Sequence, residues 1–231
     1  MKLLSPREHA AESVCAWLAR ALELKAPEPL WVVVPRNRMP ASVVWPFGDE
    51  ETHCCFGTVA IQHARALNVA ELQPGVLQLQ LAPHLLALAC IAVFDELIGN
   101  EDRHERNILV SPRGAPLVID HERTLDAGGG GFFSGPILHT PRFLHGLIER
   151  LPTSQRFEMR APLQAFVAAC RDQVNRIPFD QLVLEDEALR RSMAHYLGQR
   201  VEQLPDVVSK ILGMPDLPGV NDGYATRRPM L

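Results

Sequence analysis

Lysine is scarce in this chain. Lys2, Lys25 and Lys210 are the only three, so arginine carries nearly all of the 23 positive charges. Against 27 acidic residues the formal net charge is -4, which gives no general basic face for nucleic acid. Glycine does not occur before Gly48, so no glycine-rich phosphate loop fits upstream of that point. The five cysteines (Cys15, Cys54, Cys55, Cys90 and Cys170) form no C-x-x-C pair. The longest strongly apolar run, "LLALACIAVF" at 85 to 94, is far shorter than the roughly 20 residues that cross a bilayer. No basic and apolar leader opens the chain; a reducing cytoplasm without membrane insertion is the expected setting. The G-x-S-x-G, H-E-x-x-H, G-x-G-x-x-G and Walker patterns are all missing, which removes the commonest hydrolase and nucleotide-fold alternatives.

What is present suits a folded protein with a sizeable core: 231 residues, 47% hydrophobic, and a mean hydropathy of -0.01. Residues 7 to 24 carry Val14, Leu18, Ala21 and Leu22 at helical spacing, with Ser5 and Pro6 as cap and first position. "LWVVVP" (30 to 35) reads as a buried strand and "ASVVWPF" (41 to 47) as its partner. Residues 58 to 70 are weakly helical in pattern, and 83 to 98 form a helix that is apolar all round at its centre. "NILVSPRGAPLVID" (107 to 120) holds two apolar runs joined by a Ser-Pro-Arg-Gly turn, a hairpin signature. A glycine run, Gly128 to Gly131, opens a segment reaching Pro141, after which 142 to 151, 161 to 176 and 186 to 212 pattern as helices. Cys15, Cys90 and Cys170 fall in apolar helical stretches and are expected to be small buried residues.

Between the apolar helix and the hairpin lies "GNEDRHERNILV" (99 to 110), a dense charged cluster wedged between hydrophobic segments. Phosphoryl transfer needs a carboxylate to take the proton of the attacking hydroxyl, and oxygen ligands such as an Asn and an Asp to hold Mg²⁺ against phosphates. Asp102, Asn107 and Asp120 have the types and spacing for those tasks, because a hairpin brings Asn107 and Asp120 together at its open end. The plain alternative is a solvated loop with an Asx turn. Two other chemistries are weaker. His53 beside Cys54 and Cys55 suggests zinc but lacks a second ligand pair. "GNEDRHE" echoes dinuclear phosphoesterases, but one loop would then have to serve as two.

"IGNEDRHERNILV" with the downstream "LVIDHE" resembles the catalytic and metal-binding segments of HipA-like kinases, which share a D-R-H-x-x-N pattern with phosphatidylinositol kinases. The resemblance implies Asp102 as catalytic base, Arg103 and His104 as loop-orienting residues, and Asn107 and Asp120 as Mg²⁺ ligands. A looser similarity in "MKLLSPREHAAESVCAWLARALELKAPEP" implies Lys2 as the residue holding ATP phosphates and Glu12 as its ion-pair partner, with a nucleotide hinge near 44 to 50. The implied fold is α+β and bilobed: a reduced N-lobe over 1 to 55, a mainly helical C-lobe over 56 to 212, and an irregular tail over 213 to 231. The implied activity is transfer of phosphate from ATP to a Ser or Thr hydroxyl of a protein, in a bacterial toxin-antitoxin or growth-control setting. The family's first two strands and phosphate-covering loop have no counterpart here. A partner chain supplying them is expected, or else a pseudokinase that holds nucleotide or a partner without turnover.

Overall fold

The computed structural model describes residues 4–39, 51–68, 82–125, 143–183 and 186–214. Helix α1 (Pro6–Ala21) begins at a capping box: the Ser5 hydroxyl accepts from the Glu8 amide, and the Glu8 carboxylate accepts from the Ser5 amide. Pro6 follows at the first helical position, where its missing N–H costs nothing. Val14, Leu18 and Leu22 of the expected apolar face are buried, Ala21 is only partly so, and the helix ends at Ala21 rather than at 24.

Strand β1 (Pro29–Pro35) pairs antiparallel with β2 (Thr52–Thr58), setting Trp31 opposite Phe56 and Val33 opposite Cys54. The pairing with β2 was not foreseen; the expected partner at 41 to 47 lies outside the described residues. The expected boundary at residue 55 falls inside β2. Residues 58 to 70 are not helical where described: β3 (Arg65–Ala66) occurs there and joins a second sheet. That sheet has the order β3-β4-β5, where β4 (Ile108–Val110) and β5 (Pro116–Val118) form the hairpin foreseen in the sequence. Its turn needs Gly114, which has φ +82° and donates to the Ser111 carbonyl.

Helix α2 (Leu85–Ile98) is the centre of the core, with Leu88, Phe94, Leu97 and Ile98 fully buried. It packs against α3 (Phe143–Glu149), α4 (Thr153–Val174) and α6 (Glu187–Ile211), while the short α5 (Phe179–Leu182) contacts α1 and α6. Truncating a ring such as Phe94 in this setting costs about 3–5 kcal/mol. Helix α4 starts eight residues before the expected 161, because the helix passes through Pro162 without ending there. Antiparallel strands in two small sheets beside a larger helical layer make the fold α+β. The Val118 amide donates to the Lys25 carbonyl at 2.9 Å, which ties the connection after α1 to the second hairpin and fixes one floor of the cleft between them. No helix among the described residues is long and apolar enough to cross a membrane.

Candidate active site

The end of α2 sets the site. Gly99 takes a left-handed φ of +67°, the Asn100 amide donates to the Asp95 carbonyl at 2.8 Å and the Gly99 amide to the Glu96 carbonyl. This is a Schellman closure, and it turns the chain sharply out of the helix into the charged loop.

Arg103 organises that loop. Its Nε and Nη2 donate to the Asp95 carboxylate at 2.9–3.1 Å, and its Nη1 donates to the carbonyls of Asn107 (2.7 Å) and Ile119 (2.9 Å). Both side chains of the pair are almost wholly buried. One guanidinium therefore joins the stem of α2, the far end of the loop and the end of β5. The Asp95 carboxylate also accepts from the Asn100 amide group, and the Asn100 side-chain oxygen accepts from the Asp102 amide. His104 caps the turn Glu105–Asn107 by accepting from the Arg106 amide.

Within this frame the Asp102 carboxylate is half exposed, 3.6 Å from the exposed Arg123 guanidinium. The Asn107 side-chain nitrogen donates to the Asp102 carbonyl, which leaves its amide oxygen as the atom to face a cation. The Ile119 amide donates to the Asn107 carbonyl at 3.3 Å, so Asp120 comes one residue past the position opposite Asn107. Asp120 has φ +69°, a region that Asp tolerates better than most residues.

A cleft opens between the two hairpins. It is lined by Glu12 and Ala16 of α1, by residues 56 to 61 at and beyond the end of β2, and by Leu109 and 118 to 121 of the second hairpin. The expected hinge at 44 to 50 lies outside the described residues; among those described, the stretch after β2 borders this cleft. Glu12 is buried, its carboxylate 3.4 Å from the His121 Nδ1. One oxygen each from Glu12, Asp120 and Glu122 lies within 4.8 Å of the others. Lys2 lies outside the described residues.

The cysteines take no part. Cys54 is exposed and Cys55 buried, because neighbouring strand residues face opposite ways, and two thiols so placed cannot share a zinc ion. Burial pushes the Cys15 and Cys170 thiols up, and Cys90 up to about 12, so they stay protonated and unreactive. His9, its ring tilted against that of Trp31 with centroids 4.1 Å apart, is held below its usual value first by burial and then by the charge of His53.

Four contributors were not singled out in the sequence: Asp95, Asn100, Arg123 and Glu122. Asp95 had a signal, since an acidic pair inside an otherwise apolar helix must be paired if it is buried. Nothing in the sequence marks Arg123 or Glu122 above other charges following Asp120.

The model of one protein family, HipA-like kinase, matches residues 2–193. The chain belongs to the HipA-like kinase family. No curated protein matches it at significance. As a HipA-like kinase it is a phosphotransferase of the kinase type, and the donor set at the cleft can be tested against that chemistry. Glu12 and Asp120, which line the cleft, and Glu122 beside them offer clustered hard oxygen donors, the type that suits Mg²⁺ or Mn²⁺ rather than a soft metal. The residues present fit the ion that a nucleotide-using kinase needs.

Proposed function

We propose that this HipA-like kinase transfers the γ-phosphoryl group of ATP, with Mg²⁺, to a Ser or Thr hydroxyl of a protein. The observation that supports the reading is the hydrogen-bond network through Arg103 and Asn107, which links the loop bearing Asp102 to the end of β5 just before Asp120. In this reading Asp102 accepts the hydroxyl proton, and its half-exposed position lets a macromolecular hydroxyl reach it. Asn107 and Asp120 hold the cation against the phosphates, with Glu12 and Glu122 adding negative charge beside it. A cation held there would supply charge neutralisation for the phosphates, and Arg123 offers a guanidinium beside Asp102. Arg103 and His104 shape the loop without touching substrate. Lys2 would reach the phosphates from the small lobe of a bilobed kinase fold. A bacterial growth-control or toxin-antitoxin role, in the cytoplasm, is the setting that accords with the family.

The test is phosphate transfer from labelled ATP to the chain itself and to lysate proteins. Asp102→Asn is expected to lower transfer by about 10²–10⁴-fold, the usual worth of a general base, with nucleotide binding retained. A second reading, a nucleotide-holding module completed by a partner chain, draws support from the exposure of Leu30, Trp31 and Val33 on β1. Among the described residues β1 is also paired along one edge only, with β2, and an open strand edge is the template onto which a glycine-bearing β-hairpin from another chain would add. Under that reading Asp102→Asn leaves every measurable behaviour unchanged.

A further inference from the structure

Behind the catalytic loop, on the side of α2 away from Arg103, lies a second buried charge cluster. Asp95 and Glu96 are adjacent in α2, yet Asp95 engages the loop while Glu96 engages α3 and α6. Glu96 is wholly buried; His145 of α3 approaches its carboxylate at 3.3 Å and Arg200 of α6 at 3.7 Å. The Arg200 Nε also donates to the Glu96 backbone carbonyl at 2.7 Å, and its Nη2 donates to the same oxygen. That carbonyl belongs to the last turn of α2, where an incoming cation meets the negative end of the helix dipole. One turn earlier in α6, the Tyr196 ring lies 5.4 Å from the Arg200 guanidinium. The Tyr196 hydroxyl occupies the space where any side chain at Gly99 would go.

Stability alone does not account for this cluster. Buried charges are commonly replaced by apolar residues of similar volume with no loss. Its placement is what distinguishes it: three helices converge on the four residues from which the loop departs. The same helix end also receives the segment beyond Asp120, because the Leu125 amide donates to the Ile98 carbonyl at 2.8 Å. Residues 196 and 200 lie past the end of the family match at 193, so half of this arrangement belongs to the chain outside the shared region.

We infer that Glu96, His145, Tyr196 and Arg200 are positioning residues: a clamp that fixes the C-terminal turn of α2 and through it the placement of Asp102 and of the segment after Asp120. The inference rests on the reading of Asp102 as the catalytic carboxylate, and it deepens that reading. The clamp touches no reacting group; it acts through the Schellman turn.

The experiment has two arms on the full chain, comparing the unaltered protein with Glu96→Gln, Arg200→Met and Arg200→Lys. The first arm is hydrogen exchange at the amides of Asp102, Asn107 and Leu125, with the amides of α4 as internal reference. Glu96→Gln and Arg200→Met are expected to speed exchange at those three sites by about 10-fold or more relative to α4, the mark of a local rather than global opening. Arg200→Lys, which keeps the charge and one donor, is expected to recover part of the protection. If Arg200→Met does not fold, Arg200→Lys and Glu96→Gln carry the comparison. The second arm is release of phosphate from ATP with Mg²⁺, where kcat is expected to fall by about 10-fold or more while KM for ATP stays within about 3-fold. Unchanged exchange at the three amides, or an equal acceleration in α4, would overturn the clamp. Absence of ATP turnover in the unaltered chain counts against the kinase reading and leaves the exchange arm to decide the clamp.

Discussion

Two hairpins frame the cleft, and they are built on opposite terms. The first, β1 with β2, has seven-residue strands, yet Leu30 is 41%, Trp31 45% and Val33 66% exposed. The second, β4 with β5, has three-residue strands, and every strand residue but Leu109 is buried. Length therefore does not decide which hairpin is fixed. The short one is fixed because it is sewn to its surroundings: Arg103 grips both of its open ends and the Lys25 carbonyl receives the Val118 amide. The long one makes a complete ladder with itself but leaves an apolar face to solvent among the described residues. A site needing sub-ångström placement is carried by the sewn hairpin.

The comparison breaks most visibly at Arg103. Arg103→Ala leaves the Asp95 carboxylate buried without its partner and frees two carbonyls, and the expected loss is about 3–5 kcal/mol. Urea denaturation measures it, and a loss under about 1 kcal/mol would mean the second hairpin is held by packing alone. Gly99→Ala ranks next. It forces a left-handed residue, about 1–2 kcal/mol, and drives a methyl group into the Tyr196 hydroxyl; the same denaturation series should show a loss at or above that range. The smallest effect belongs to the first hairpin. Val33→Thr on the open face of β1 is expected to shift stability by no more than about 0.5 kcal/mol. A loss above that would show the strand to be covered in solution.

The difference between the hairpins also explains what the sequence disclosed. The β4–β5 hairpin was legible because its strands are close in the chain and its turn carries Ser111, Pro112 and Gly114 in sequence. Helix α1 was legible from Ser5 and Pro6, whose chemistry is local. The β1–β2 pairing was not, because β2 lies beyond a longer intervening segment and "THCCFGT" has little apolar alternation. Pro162 hid the first turns of α4, since a proline normally ends a helix and this one does not. At the site, the motif displayed Asp102, Asn107 and Asp120 by type and spacing. Asp95, Glu96 and Arg200 could not be assigned, because what they do depends on which groups the tertiary fold sets beside them. Glu12 is the mixed case. Its type and helix were visible, but its burial against His121 and its closeness to Asp120 and Glu122 arise only when α1 meets the second hairpin.

The central claim is that the second hairpin delivers a cation site for a nucleotide. Calorimetric titration of the chain with ATP, with and without Mg²⁺, repeated on Asp120→Ala, tests it most directly. The account predicts binding that requires Mg²⁺ and is lost in Asp120→Ala, a variant whose loss of stability stays within about 1–2 kcal/mol, the cost of an alanine held at a left-handed φ. Binding of equal strength without Mg²⁺, or undiminished in Asp120→Ala, would contradict it.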